Sequence, residues 1–352
     1  MKSRIFRFMR FKPDHICSIN SDFYSRLHQI MMYQVEHNQI YKKYLEGLQK
    51  RNLIPFDELG NSSKSASNKN CDHIPLLPIE AFRDSKVYTL GEIPHELEFL
   101  SSGTTSNAVR SRHYVAYKSQ YEASIFNGFG PFYDLNNLII LAYTPGYNSN
   151  PNSSLIWMLN ALIKRDKTGL SRFLEVGKPL DDDLIRSISA IGKKLMIFGA
   201  AFGLIEIAEN FQINLPPDSI IMETGGMKTY RKEMTREQMH KSLARGFGLT
   251  TDQIHSEYGM TELLSQAYSL GDNWFRTPPW MQVSIRNRLN PLRPVDDGQE
   301  GLIGIIDLAN WASCPFVLTG DLGVKRNDGA FQVLGRANKY HLRGCNFLLE
   351  VD

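Results

Sequence analysis

A chain of 352 residues with 42% hydrophobic and 22% charged side chains has an ordinary globular composition and the length for a large buried core in two or three domains. Forty Lys and Arg against 37 Asp and Glu leave a net charge of +3, too near balance to argue for nucleic acid or a membrane surface as a partner. No window offers the ~18 uninterrupted apolar residues of a spanning helix, so no integral membrane span is expected.

The opening places Lys2, Arg4, Arg7, Arg10 and Lys12 among Ile5, Phe6, Phe8 and Phe11. It lacks the continuous apolar core and small-residue cleavage site of a signal peptide, and reads as an exposed or docking N-terminus. Cys17, Cys71, Cys314 and Cys345 form no CxxC and no paired His spacing, so neither a zinc site nor a disulfide framework is expected, and a reducing cytoplasm is the default location. From Ser21 to Lys50, Phe23, Leu27, Ile30, Met31, Tyr41, Tyr44 and Leu48 recur at helical spacing, predicting one long helix or two end to end, with Asn20 or Ser21 available as N-cap. Residues 61–72 read as a polar loop, and Ile74-Pro75-Leu76-Leu77-Pro78 stiffens the chain beyond it.

Apolar runs then alternate with amphipathic stretches. Leu138–Tyr143, Lys194–Phe198 and Ser219–Glu223 read as buried strands, each followed by a helix, near Ser153–Lys164, Ala201–Phe211 and Thr235–Phe247. Such alternation predicts a parallel α/β sheet with ligands beyond the carboxyl ends of its strands. After residue 270 the short strands Gly301–Leu308, Phe316–Thr319 and Phe331–Leu334, parted by Gly and Asp turns, predict a smaller antiparallel sheet or barrel. The expected divisions are a helical segment and loop over 1–72, an α/β core over 73–270 and a β-rich subdomain over 271–352.

Four polar clusters carry candidate chemistry. Ser101, Ser102, Gly103, Thr104 and Thr105 follow the apolar lead-in Leu97–Leu100; glycine lets the backbone approach a ligand, and successive N–H groups and hydroxyls can cradle phosphate oxygens, although such a run also suits a solvated loop. Thr224-Gly225-Gly226 follows a strand, where a flat ring can stack on bare backbone; a plain tight turn has the same sequence. In Glu257-Tyr258-Gly259-Met260-Thr261-Glu262, Tyr258 can stack on a base, Thr261 can donate to phosphate and Glu262 can hold Mg²⁺; the alternative is a helix N-terminus with a surface Glu. Thr319-Gly320-Asp321 ends a predicted strand with a carboxylate that can accept from ribose hydroxyls, and is also a common turn. His113 can orient the hydroxyl-rich loop or serve as a satisfied structural histidine. Phe198-Gly199-Ala200-Ala201-Phe202-Gly203 suits either an acyl tunnel lining or helix–strand packing.

In this order, and followed by Gly335-Arg336, the clusters resemble the adenylate-forming superfamily of acyl- and aryl-CoA ligases. A closer resemblance is to the LuxE-like acyl-protein synthetases, the fatty acid–protein ligases of bacterial bioluminescence. It runs through Ile74–Pro78, Ser111-Arg112-His113, Glu223–Lys228, Tyr258–Leu263, Asp307-Leu308-Ala309-Asn310 and Arg343-Gly344-Cys345. The resemblance implies the N-terminal region of an adenylate-forming enzyme: parallel α/β subdomains plus a small β-rich one.

The implied reaction has a fatty or other carboxylic acid attack the α-phosphate of ATP, with Mg²⁺, to give an acyl-adenylate whose acyl group passes to a protein or carrier thiol. Thr261, Glu262 and Arg336 would meet phosphate charge, and segments distant along the chain would converge on one ATP. The family points to Cys345 as the acylated thiol; Lys339, His341 and Arg343 can raise its thiolate fraction, while Asn346-Phe347-Leu348-Leu349 suits a buried cysteine instead.

The sequence departs from the superfamily pattern at Ser106-Asn107, where a glycine is usual, with Arg110 and Arg112 as the nearest cations. Typical members continue past the hinge at Gly335-Arg336 into a lid bearing a catalytic lysine, so with the sequence ending at Asp352 the lid is expected to be absent or vestigial. Two other readings are a phenylacetate-type CoA ligase with its lid supplied in trans and a binding module without catalysis.

Overall fold

The computed structural model describes residues 16–18, 22–54, 71–102, 109–145, 150–211, 213, 215–225 and 234–337. In chain order its elements are α1 (Phe23–His37), α2 (Gln39–Lys50), β1 (Leu77–Pro78), α3 (Ala81–Asp84), β2 (Leu97–Leu100), β3 (Arg112–Val115), α4 (Lys118–Phe129), β4 (Leu138–Tyr143), α5 (Ser154–Ile163), β5 (Arg172–Phe173), α6 (Asp182–Ala190), β6 (Lys194–Ala200), α7 (Ala201–Asn210), β7 (Ile220–Thr224), α8 (Arg236–Phe247), β8 (Ile254–Tyr258), β9 (Ala267–Ser269), β10 (Met281–Arg286), β11 (Gly301–Asp307), β12 (Phe316–Lys325) and β13 (Phe331–Arg336). They form two units, each discontinuous in sequence: residues 1–127, 261–265 and 277–352 make one, and residues 128–260 and 266–276 the other. None of the helices is long and apolar enough to cross a membrane among the described residues.

In the first unit the helical stretch is two helices because Asn38 intervenes. Its backbone N–H closes α1 on the Gln34 carbonyl, and its side-chain oxygen accepts from the N–H groups of Ile40 and Tyr41, capping α2. The same side chain donates to the Ser313 carbonyl at 2.8 Å, so the break is anchored in the core. Asp22 caps α1, accepting from the Tyr24 N–H, in place of the expected Asn20 or Ser21, which lie outside the described residues.

On α2, the hydroxyls of Tyr41 and Tyr44 donate to the carbonyls of Pro75 and Leu76. Ile74–Pro78 is thereby steered into β1, which pairs in parallel with β12. Proline lacks an N–H for a ladder and is suited to such an edge strand. β10, β11, β12 and β13 follow as an antiparallel meander, so the small sheet is mixed rather than purely antiparallel.

One expectation needs correction here. Thr319-Gly320-Asp321 does not end a strand: Gly304 opposes Leu318 and Leu302 opposes Leu322, so these three residues form a bulge inside the ten-residue β12. Bulges re-aim side chains without ending the strand.

The second unit is a six-stranded sheet ordered β5-β4-β6-β7-β8-β9, parallel except for the edge strand β9. Leu138–Tyr143 is buried at every position, as a strand covered on both faces requires. Ile139, Leu141, Leu195, Ile197 and Ile221 pack with Leu204, Ile207, Leu243 and Phe247 in the core. α8 starts at a Thr235–Gln238 capping box and stops at Gly248, as a polar start and a glycine stop dictate. In Phe198–Gly203, Gly199 lies against the Tyr143 carbonyl and Leu204, and Gly203 against Pro145 and Tyr143, which is helix–strand packing.

Candidate active site

β7 and β8 are parallel neighbours, with Glu223 beside Ser256 and Thr224 beside Glu257. Both strands therefore deliver their motifs, Gly225 and Tyr258-Gly259, at one carboxyl edge of the sheet, where ligands of parallel α/β sheets bind. Gly225 has φ +80°, a conformation that favours glycine.

Two buried carboxyls at that edge have opposite fates. Burial works to raise the pKa of Glu223, but Arg236 Nη1 at 3.0 Å, then His240 at 3.6 Å and Ser256, hold it below the ordinary carboxylate range. Burial dominates at Glu257 and pushes it up to about 7; the bond from the Thr224 hydroxyl opposes this and the charge of Glu223 reinforces it. A Cβ at position 259 would meet Glu257 Oε1, so a larger residue there requires that carboxyl to shift. Tyr258, expected to face a base, is buried with its ring 5.8 Å from that of Phe275, whose face carries the Arg236 guanidinium at 5.0 Å. Arg236 thus links the Glu223 and Tyr258 motifs.

The first unit holds the hydroxyl-rich loop between β2 and β3. Ser101 N–H donates to the Ser111 carbonyl, and Ser111 N–H donates to Ser101 Oγ, both at 3.0 Å, closing the neck of the loop. Ser102 is exposed just inside that neck. Gly103, Thr104 and Thr105 lie outside the described residues, as do Gly226 and Cys345.

Thr261–Ser265 is bound into this unit through its main chain and through the Ser265 hydroxyl, which also accepts from Trp280 Nε1 at 2.9 Å and lies 3.0 Å from the Ser124 hydroxyl. The Thr261 carbonyl is 2.7 Å from His113 Nδ1, and the Glu262 carbonyl accepts from Asn310 Nδ2 at 2.8 Å. Asp307 Oδ2 accepts from the N–H groups of Leu264 and Ser265 at 3.0 and 2.9 Å, while Oδ1 accepts from the Ser265 hydroxyl and the Ala309 N–H. His113 is fully buried, and burial pulls its pKa down to about 4 against the opposing bonds to Thr261 and Asn310. Glu262 is buried at 6% exposure and begins no helix, which removes the surface-Glu alternative.

Asp321 and Arg336, separate in the sequence reading, are direct cross-strand partners on β12 and β13, with Arg336 Nε 3.5 Å from Asp321 Oδ1. Arg336 is about two-thirds exposed, leaving its guanidinium open to a second oxygen ligand.

The geometry also assigns weight to residues that the sequence reading used only as motif letters or passed over: Asp307, Asn310, Glu257, Arg236 and His240. Only Asp307 left a local signal, an acidic side chain two residues before the N–H it caps at the short turn Leu308–Asn310. Cys17, Cys71 and Cys314 are buried, and burial pushes the thiols of Cys71 and Cys314 up to about 12, which suits filler rather than nucleophile. Among the described residues no three His, Cys, Asp or Glu form a metal cluster. A single carboxylate is still the donor set for Mg²⁺ carried on phosphates, and Glu262 fits it.

Comparison with known proteins is consistent with these motifs. A relative from Vibrio harveyi, a long-chain-fatty-acid–luciferin-component ligase, is 20% identical over 299 residues, covering 79% of this chain and 77% of its own. Two solved structures of a 2-hydroxyisobutyryl-CoA ligase in complex with 2-HIB-AMP and CoA share the fold at 14% identity. One has a TM-score of 0.61, over 90% of this chain and 68% of its own; the other has 0.58, over 90% and 69%. The family model for LuxE acyl-protein synthetase matches residues 172–351, just over half of the chain. The protein therefore belongs to the LuxE acyl-protein synthetase family, and is a ligase of the adenylate-forming fold that activates and transfers acyl groups.

Proposed function

We propose that this ligase joins a carboxylic acid of the fatty class to ATP, forming an acyl-adenylate, and then passes the acyl group to a protein thiol. The observation that carries the reading is the side-by-side pairing of β7 and β8, which presents Gly225 and Tyr258-Gly259 together at the carboxyl edge of a parallel sheet, in a chain whose family acts on acyl groups.

In the first half-reaction a carboxylate oxygen of the acid bonds to the α-phosphorus while the bond to the β-phosphate bridging oxygen breaks, releasing pyrophosphate. Gly225, Gly226, Tyr258 and Gly259 are assigned to the base; Asp321 and Arg336 to ribose and phosphate; and Ser101, Ser102, Gly103, Thr104, Thr105 and Thr261 to phosphate oxygens. Their donors meet charge that builds as the pyrophosphate leaves. Mg²⁺ held by Glu262 would neutralise phosphate charge. In the second half-reaction the sulfur of Cys345, as thiolate, attacks the acyl carbon and AMP departs with the electron pair.

Acid-dependent exchange of labelled pyrophosphate into ATP tests the first step, and its absence with every acid of a graded-length series would overturn the reading. Hydroxylamine-labile acylation that disappears in Cys345→Ala tests the second. A thioester product formed only on addition of CoA would replace the protein acceptor by a CoA ligase.

A further inference from the structure

The hydrogen-bond inventory around Thr261 and Glu262 contains an imbalance. Asn310 Nδ2 donates to two carbonyls, those of Glu262 at 2.8 Å and Cys314 at 3.0 Å. Its amide orientation is therefore fixed, and Oδ1 must face His113 Nε2 at 2.7 Å. The other ring nitrogen, Nδ1, faces the Thr261 carbonyl, also at 2.7 Å. Both partners of the ring are acceptors with no hydrogen to give. A neutral imidazole serves one of them, and only a ring protonated at both nitrogens serves both. The Phe82 ring lies edge-on at 5.8 Å, and among the described residues no charged side chain shifts the histidine's titration.

A histidine kept wholly buried with two oxygen partners and no counter-charge is a costly way to fill space. What it touches gives the reason. His113 fixes one end of Thr261–Ser265 and Asp307 fixes the other, so the carbonyls of Thr261 and Glu262 and the N–H groups of Leu264 and Ser265 are all held by three side chains, His113, Asn310 and Asp307. His113 is also on β3, two residues beyond Ser111 at the neck of the hydroxyl-rich loop. One short strand therefore governs both that neck and the backbone of Thr261.

We propose that His113 is a positioning residue for the adenylation step: through Nδ1 it fixes the Thr261 carbonyl, so that the side chains of Thr261 and Glu262 are presented in a single orientation. This rests on the reading that Thr261 and Glu262 serve the phosphates and Mg²⁺. Misplacing such groups by even an ångström lowers the rate of the chemical step far more than it weakens binding.

Two variants separate the two ring contacts. An asparagine amide nitrogen falls near the position of Nδ1, and a glutamine amide nitrogen near that of Nε2. His113→Asn keeps the donor to Thr261, whereas His113→Gln keeps only the donor to Asn310. In the pyrophosphate exchange assay with Mg²⁺ titrated, H113Q is expected to lose about tenfold or more in kcat with little change in KM for ATP, and H113N to stay within about threefold of wild type, at matched Tm. Equal losses in the two variants, or losses that follow Tm alone, would overturn the proposal. If the wild type shows no exchange, the functional reading fails, and hydrogen–deuterium exchange across residues 261–265 still decides the clamp: faster exchange in H113Q than in H113N supports it, and equal exchange refutes it.

Discussion

Glu257–Met260 and Thr261–Ser265 adjoin in the chain yet are held by opposite means. The strand end at Glu257 sits among ionisable side chains: Glu223 held below the ordinary carboxylate range by Arg236 and His240, and Glu257 pushed up to about 7 by burial. The peptide groups of Thr261–Ser265 are held by the uncharged contacts of His113 and Asn310 and by the Asp307 carboxyl, which the Ser265 hydroxyl also meets. In the first region the fold tunes charge; in the second it fixes backbone position. A segment can thus be positioned either by electrostatics or by main-chain capture, and each fails in its own way when a partner is removed.

The sharpest break should come from Asp307→Ala, which strips the acceptor from three backbone N–H groups and the Ser265 hydroxyl. At about 1–3 kcal/mol for each buried donor left unpaired, a loss of at least ~3 kcal/mol in urea unfolding is expected, with Asp307→Asn losing less. A cost under about 1 kcal/mol would show that the capture is dispensable.

Next is Arg236→Met, which leaves the buried Glu223 carboxylate with His240 and Ser256 but no guanidinium; about 2–4 kcal/mol should be lost, and most of it regained when Glu223→Gln is added. Failure of the double variant to recover would mean that Arg236 acts through its packing on Phe275.

The third test reverses sign. Since burial pushes Glu257 up to about 7 in the folded chain, above the ordinary 4.5 of an exposed carboxyl, its contribution to stability is complete below pH 4.5 and is lost as the pH rises through 7. Glu257→Gln can still accept from the Thr224 hydroxyl and does not ionise. Its stability relative to wild type should climb between pH 5 and pH 8 by on the order of 1–3 kcal/mol, as followed by unfolding at each pH. A flat difference would place the carboxyl in its ordinary range.

Smallest in stability is Arg336→Ala. An exposed ion pair with Asp321 is worth less than about 1 kcal/mol, so Tm should hardly move, while KM for ATP in the exchange assay should rise if the guanidinium grips nucleotide oxygens. A fall in Tm with an unchanged KM would make it a strand-pairing residue.

Much of this architecture was legible in local pattern. Leu138–Tyr143 is a strand with the expected ends because a continuous apolar run covered on both faces leaves no alternative pairing, and Ser153 and Thr235 sit at helix starts because their oxygens answer unpaired N–H groups. Thr319-Gly320-Asp321 read as a strand end because Gly-Asp is ordinary turn chemistry; the ladder continues through it because β11 and β13 supply partners on either side. Pairing of this kind is a property of neighbours, and no window of one strand reports it.

The sequence by itself determined the parallel α/β alternation, the strand-end motifs and the family they resemble, since apolar period, caps and glycine turns act over a few residues. Only the tertiary structure decided that Thr261–Ser265 is captured by His113, Asn310 and Asp307, that Asp321 meets Arg336, and that two neighbouring buried glutamates part in protonation. Those outcomes depend on desolvation and on partners brought from 13 to 148 residues away in the chain, and neither is encoded in a residue's immediate surroundings.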